Sequence, residues 1–269
     1  MPLYHILILA IIQGLTEFLP VSSSGHLVLT HHVMGEGSND LCWEKNRLMD
    51  VAVHVGTLLS VLVYFRKDIF MMLGGLTRTD SDGFVLARNI IIASIPVIIA
   101  GFVIQMFEFS FLCLLEVMAW MTLIFGIILM IADRFDSHLT IEKMSIKNAI
   151  LIGLSQMLAL IPGVSRSGIT MTSARFLGFS RVEAARFSLL LSIVAISGAG
   201  TLSGLDLIQE GNLILSNEIG IAILFSFLAG WISIVLMMKW LSKASFKPFA
   251  IYRIVLGIAL LSLIYSGAL

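Results

Sequence analysis

Residues 89–107 and 219–238 are apolar runs close to the ~20 residues that an α-helix needs to cross a bilayer, and further runs of this kind recur along the chain. A sequence of 269 residues is long enough for two soluble domains, but one that is 58% hydrophobic and 13% charged cannot clothe two aqueous surfaces. The expected fold class is an all-α polytopic membrane protein. Residues 1–12 are apolar but lack a basic leading region and a small-residue cleavage site, so they are expected to belong to the mature fold.

Charge placement sets the topology. Lys+Arg number 17 and Asp+Glu number 17, a balance that points to no nucleic-acid partner and no polybasic anchor. Thirteen of the basic residues fall in four regions: Arg66, Lys67, Arg78 and Arg88; Arg134, Lys143 and Lys147; Arg175, Arg181 and Arg186; Lys239, Lys243 and Lys247. Such clusters mark cytoplasmic loops. Connections 106–116 and 206–218 contain Glu108, Glu116, Asp206, Glu210 and Glu218 without Lys or Arg, and are expected to face outward. Six spans follow, over 48–65, 89–107, 114–132, 187–205, 219–238 and 249–265, with both termini outside. Cys42 and Cys113 have no metal or redox spacing and read as small hydrophobes.

Two apolar stretches remain, 1–34 and 148–180. The second begins and ends beside cytoplasmic clusters, so it must turn back within the membrane as a re-entrant hairpin. Each is broken near its middle, by Pro20-Val-Ser-Ser-Ser-Gly-His26 and by Pro162-Gly-Val-Ser-Arg-Ser-Gly168, where Pro, Gly and Ser end helices. The two segments match with a one-residue gap, and each is followed by three spans. The chain therefore reads as one membrane domain of two inverted-topology repeats, 1–134 and 135–269: six transmembrane helices plus two re-entrant helical hairpins. Sites in such folds lie near the midplane at the discontinuous helices.

Glu17 and Arg166 lie in these apolar stretches, where a charge costs at least ~2.5–3.5 kcal/mol on insertion scales. Around them fall Gln13, Ser22, Ser23, Ser24, His26, Gly163, Ser165, Ser167 and Thr170. A guanidinium fork, two helix starts with open N–H groups, hydroxyls, an imidazole and a carboxylate suit a phosphate better than a sugar or an apolar ligand. Gln13 and Glu17 are four apart, share a helix face and are candidates to share a divalent cation, which would need substrate oxygens to complete it. Asp50 and His54, also four apart, read either as support for the cavity or as a helix-end pair. Tyr252 and Arg253, following Lys247-Pro248, read as interface anchors with a snorkelling Arg. His5, His31, His32 and His138 receive no role.

These motifs resemble those of the undecaprenyl-diphosphate phosphatase, or bacitracin-resistance, family. Its E/Q-x-x-x-E motif is similar to Gln13-Gly-Leu-Thr-Glu17 and its P-G-x-S-R-S-x-x-T motif to Pro162 through Thr170. The likeness continues through Gly56-Thr-Leu-Leu-Ser60, Phe187-Ser-Leu-Leu190 and Phe246-Lys-Pro-Phe-Ala-Ile-Tyr-Arg253. The resemblance implies hydrolysis of undecaprenyl diphosphate to the monophosphate carrier lipid and inorganic phosphate, which recycles the carrier for cell-wall synthesis and confers bacitracin resistance. It also implies a bacterial inner-membrane location, a site open to the periplasm and a divalent cation, Mg2+ or Ca2+.

By motif position, Glu17, Ser23, His26 and Arg166 are the expected catalytic residues. Ser22, Ser24, Gly163, Ser165, Ser167 and Thr170 are expected to bind substrate, and Gln13 with Glu17 the cation. Gln13 is a family variant that puts any two-carboxylate mechanism in doubt. Ser23 is the preferred nucleophile, with attack by water or by His26 left open. Two rivals stand beside hydrolysis: a transporter of the lipid phosphate and a purely structural subunit. The sequence leaves the oligomeric state open, a homodimer included.

Overall fold

The computed structural model describes residues 2–34, 47–107, 114–135, 138–209 and 217–267. Glu108, Glu210, Cys42 and Cys113 lie outside the described residues. The elements are α1 (Leu3–Phe18), α2 (Ser23–Val33), α3 (Arg47–Tyr64), α4 (Arg66–Gly75), α5 (Asp82–Phe107), α6 (Leu115–Ala132), α7 (Ile146–Gln156), α8 (Arg166–Phe176), α9 (Arg181–Gln209), α10 (Asn217–Leu241) and α11 (Lys247–Tyr265). A 3₁₀ turn, Met157–Leu160, continues α7. The only strand-like feature among the described residues is an isolated bridge between Leu139 and Phe179.

Five helices, α5, α6, α9, α10 and α11, are long and apolar enough to cross a membrane, and a sixth crossing is counted if α3 and α4 form one bent span. The protein is therefore an all-helical, multi-pass membrane protein. Its outer faces carry side chains such as Ile91, Ile95, Phe102, Leu228, Trp231 and Val255, all more than 40% exposed, which lipid solvates and water does not. The expected runs each find a helix, but α5 and α9 extend back to Asp82 and Arg181, beyond 89–107 and 187–205. Charged first turns project past the apolar zone and keep the helix ladder intact, so hydropathy marks the membrane portion and not the helix end.

The sequence reading missed α4. The chain bends by 73° between α3 and α4, with Phe65 buried at the break. Asp68 of α4 then pairs with Arg186 of α9, which also reaches Glu142 at 3.2 Å. Farther along the same face, buried Asp133 accepts from Arg181 at 2.6 Å and from the Phe246 amide at 3.0 Å, while Arg175 donates to the Phe135 and Phe179 carbonyls. Several of the basic residues from which a topology was expected thus tie α6, α8, α9 and the start of α11 together.

Helix α10 packs against both α1 and α3, and glycine permits the approach. A Cβ on Gly56 would lie 1.9 Å from Ser226 Oγ and 2.4 Å from the Ile223 carbonyl, and one on Gly14 would lie 2.6 Å from Ala229 Cβ. Close backbone approach replaces the missing hydrophobic drive between helices in lipid. Gly56→Leu is expected to force α3 and α10 apart at ~1–3 kcal/mol or more, read as a lowered thermal midpoint in detergent. An unchanged midpoint would show that the helices separate without loss.

Candidate active site

Two chain breaks make the site. Pro20 disfavours helical backbone at Leu19, which is extended (φ −68°, ψ 145°), and Pro162 does the same at Ile161 (φ −83°, ψ 121°). Each chain then passes through a left-handed serine, Ser22 at φ 74° and Ser165 at φ 71°. That conformation costs a non-glycine residue roughly 1–2 kcal/mol, and strain of this kind gathers at ligand clamps. Helices α2 and α8, each 11 residues long, start immediately afterwards. Their length, ~16 Å, is about half the hydrocarbon thickness. The first N–H groups of a helix lack intrahelical partners and carry its positive dipole end, which is the kind of place where anions are held.

The breaks meet through one ion pair. Arg166 Nη2 donates to Glu17 Oε1 at 2.7 Å, with side chains 15% and 7% exposed. Oε2 of Glu17 accepts from Ser23 Oγ at 2.7 Å and from Gln13 Nε2 at 2.9 Å. Ser167 Oγ closes the junction by donating to the Leu19 carbonyl at 2.8 Å. Gln13, Glu17, Ser23 and Arg166, from segments about half the chain apart, thus meet at one point.

The other expected site residues divide by exposure. Ser24 is exposed and Ser23 half-buried, whereas Ser22, Gly163, Ser165, Ser167 and Thr170 are buried. Ser165 Oγ caps α8 by accepting from the Gly168 amide at 3.1 Å. Thr170 Oγ1 donates to the Arg166 carbonyl at 2.8 Å and lies 2.7 Å from Ser188 Oγ, while Arg166 Nη1 reaches the Ser188 carbonyl at 3.4 Å. Gly163 is left-handed at φ 91°, and a Cβ there would lie 2.2 Å from the Met118 carbonyl, so only glycine fits. These buried groups hold the shape of the loop. Ser23, Ser24, Arg166 and the helix starts are what it can present to a ligand.

His26 is fixed at both nitrogens. Nδ1 lies 2.7 Å from the Ser22 carbonyl, which can only accept, so Nδ1 carries hydrogen. Nε2 meets Tyr252 Oη at 2.6 Å, and the two rings stack with centroids 5.7 Å apart. Arg253, the next residue on α11, is fully buried and donates to the Gly163 and Val164 carbonyls at 2.7 and 2.9 Å. Arg253 therefore does not snorkel to the inner interface as expected but is buried against the second broken loop, while Tyr252, still 44% exposed, bonds His26 just after the first. The expectation for Asp50 and His54 also changes. His54 Nδ1 donates to the Asp50 backbone carbonyl at 2.7 Å, and the Asp50 carboxylate instead lies 3.6 Å from His31 Nε2, a partner the sequence reading did not find.

Tyr252→Phe deletes one hydrogen bond and keeps the stacked ring. Turnover is expected to fall by less than about tenfold, the equivalent of ~1 kcal/mol. Adding Tyr252→Phe to His26→Ala should then cost little more than His26→Ala alone, because the lost interaction is shared. Fully additive losses in kcat/KM would show that the two residues act separately.

A family model described as bacitracin resistance protein BacA matches residues 6–259. A protein of Hahella chejuensis named undecaprenyl-diphosphatase is 46% identical over 267 residues, covering 97% of this chain and 98% of the relative. Proteins of the same name from Roseobacter denitrificans and Saccharophagus degradans are each 42% identical, covering 99% and 98% of this chain and 100% and 99% of the relatives.

Proposed function

The chain belongs to the bacitracin resistance protein BacA family, and from that membership and the junction just described we infer that it hydrolyses undecaprenyl diphosphate to undecaprenyl phosphate and inorganic phosphate. The observation that carries the reading is the single carboxylate, Glu17, that binds a serine hydroxyl through one oxygen and an arginine through the other, between two helix starts.

In the proposed mechanism the diphosphate displaces part of the Glu17–Arg166 pair, and Arg166 with the loop amides takes the terminal phosphoryl oxygens. Glu17 removes the Ser23 hydroxyl proton as Oγ attacks the terminal phosphorus. The bond from that phosphorus to the bridging oxygen breaks, and undecaprenyl phosphate leaves with the electron pair. The proton on Glu17 passes to the departing phosphate or to solvent. Water then attacks the phosphoserine phosphorus with Glu17 as base, and Glu17 hands that proton to the Ser23 oxygen as the O–P bond breaks, releasing inorganic phosphate and restoring the hydroxyl and the carboxylate. Ser23 is favoured over His26 as nucleophile because its hydroxyl already donates to Glu17, while both His26 nitrogens are engaged by Ser22 and Tyr252. His26 lies one turn after Ser23 on α2 and serves with Tyr252 as the nearby proton carrier.

A divalent cation, Mg2+ or Ca2+, fits the site in one way. Gln13 Oε1 is buried with no hydrogen-bond partner among the described residues, and it sits beside the Glu17 carboxylate. Among the described residues no group of three His, Cys, Asp or Glu side chains is placed to hold a metal. Gln13 and Glu17 would therefore hold a cation whose remaining ligands are diphosphate oxygens and water. When bound, it would withdraw charge from the phosphate and favour attack at phosphorus.

The inner membrane and a cavity open to its periplasmic face fit the substrate and the loop charges. The inverted repeat is supported by the matched register of Val21-Ser-Ser-Ser-Gly25 with Val164-Ser-Arg-Ser-Gly168, by the left-handed serines and by the equal lengths of α2 and α8. Broken helices in inverted repeats also occur in transporters. Purified protein in detergent, where no second compartment exists, is expected to release phosphate from a short-chain polyprenyl diphosphate. Binding without release would favour the transport reading.

A further inference from the structure

The mechanism leaves one buried charge unexplained. Arg253 enters from α11, is 0% exposed, and is the largest side chain fully buried among the described residues. A guanidinium in such a place is expected to meet a carboxylate. Among the described residues no charged group offsets it. Nη2 donates to the carbonyls of Gly163 and Val164, with Met121 O at 3.5 Å, while Nη1 and Nε have no hydrogen-bond partner among the described residues.

The neighbouring helices leave space for this side chain. A Cβ on Gly126 of α6 would lie 2.8 Å from Arg253 Cβ, and a Cβ on Gly168 of α8 would lie 2.7 Å from Nη1. Two glycines on different helices thus clear the path that brings the guanidinium under the loop. Resting on the reading of the site as a diphosphate hydrolase, we propose that Arg253 is a positioning residue for the reaction. It holds the 163–165 turn in its reactive orientation and supplies the uncompensated positive charge behind the phosphate site.

Two physical steps support this. In a trans peptide the C=O and the following N–H point in opposite directions. Drawing the Gly163 and Val164 carbonyls toward α11 therefore turns the amides of Val164 and Ser165 away from it. The Val164 amide is taken by the Ile161 carbonyl at 3.2 Å, which leaves the Ser165 amide to join the open start of α8. The second step is charge. Glu17 and Arg166 cancel in the resting site, −1 and +1. Arg253 adds +1, so the junction carries net +1 before an anion arrives. Remove Arg253, and a multiply charged diphosphate must enter a neutral, low-dielectric site.

Purified wild type, Arg253→Gln, Arg253→Lys and Gly168→Ala are compared in detergent. Thermal midpoint, kcat and KM for a short-chain polyprenyl diphosphate, and inhibition by inorganic pyrophosphate are measured on the same preparations. Arg253→Gln is expected to lose ~100-fold or more in kcat/KM and to weaken pyrophosphate inhibition by roughly tenfold or more. Arg253→Lys keeps the charge without the fork, so pyrophosphate should still inhibit at near wild-type concentration while kcat falls. Gly168→Ala pushes directly on Nη1, so kcat should fall with the charge retained, and this variant decides the matter if Arg253→Gln does not fold. A merely structural role predicts a lowered midpoint with normal kcat, KM and inhibition in the protein that folds. That result, in Arg253→Gln or in both other variants, overturns the proposal. A wild type that releases no phosphate overturns the site reading and this inference with it.

Discussion

Arg166→Ala is expected to abolish phosphate release, because it removes the cation that pairs Glu17 at 2.7 Å and that must hold the terminal phosphate once substrate arrives. Removing one partner of a buried pair typically costs ~3–5 kcal/mol, so the thermal midpoint should fall as well, and activity alone cannot assign the role. Two further variants separate the effects. Arg166→Lys keeps the charge but loses the bidentate fork and should impair turnover substantially. The double change Glu17→Gln with Arg166→Gln removes both charges and should recover the midpoint. If Arg166 only balanced Glu17, the double variant would also recover activity; a phosphate clamp predicts a stable, inactive protein. Phosphate release from that stable double variant at near the wild-type rate would remove Arg166 from the chemistry.

Glu17→Gln is expected to have an effect of similar size for a different reason. The amide keeps the shape of the side chain and the carbonyl that can accept from Ser23, but it is no longer basic. Neutral Gln13 cannot take over, since an amide does not accept a proton at neutral pH and no other carboxylate among the described residues bonds Ser23. Loss of a general base costs ~10²–10⁴ in rate, and here the same group prepares both Ser23 and the later water. The midpoint should fall here too, because the Arg166 charge loses its partner, but by less than in Arg166→Ala, since the amide carbonyl can still accept from the guanidinium. Turnover within about tenfold of wild type in folded Glu17→Gln would end the proposed role.

Much of this site was legible because charge in an apolar stretch is expensive. Glu17 and Arg166 stood out on that ground, and the two proline-serine-glycine breaks showed where the helices must stop. The structure adds the reason for the precise stopping points: Leu19 and Ile161 are extended because proline follows each. The same rule, applied evenly, would have found Arg253, which is the only charged residue between Lys247 and the end of the sequence. Its nearness to Lys247-Pro248 suggested an interface, and only the tertiary structure shows it reaching Gly163 and Val164, 90 and 89 residues away in sequence. Tyr252 was hidden for a similar reason, since its hydroxyl finds His26 across 226 residues. The bend before α4 left no hydropathy signal, because it is set by Phe65 packing and by the Asp68–Arg186 pair.

The most direct test of the proposed chemistry is an acid-quenched single turnover with a polyprenyl diphosphate labelled in its terminal phosphate. Label is expected on the wild-type protein before free phosphate accumulates, on Ser23, and Ser23→Ala is expected neither to acquire label nor to release phosphate at more than a small residual rate. Free phosphate produced at the full rate with no label on Ser23, or Ser23→Ala turning over within about tenfold of wild type as expected for loss of a single hydrogen bond, would contradict that chemistry.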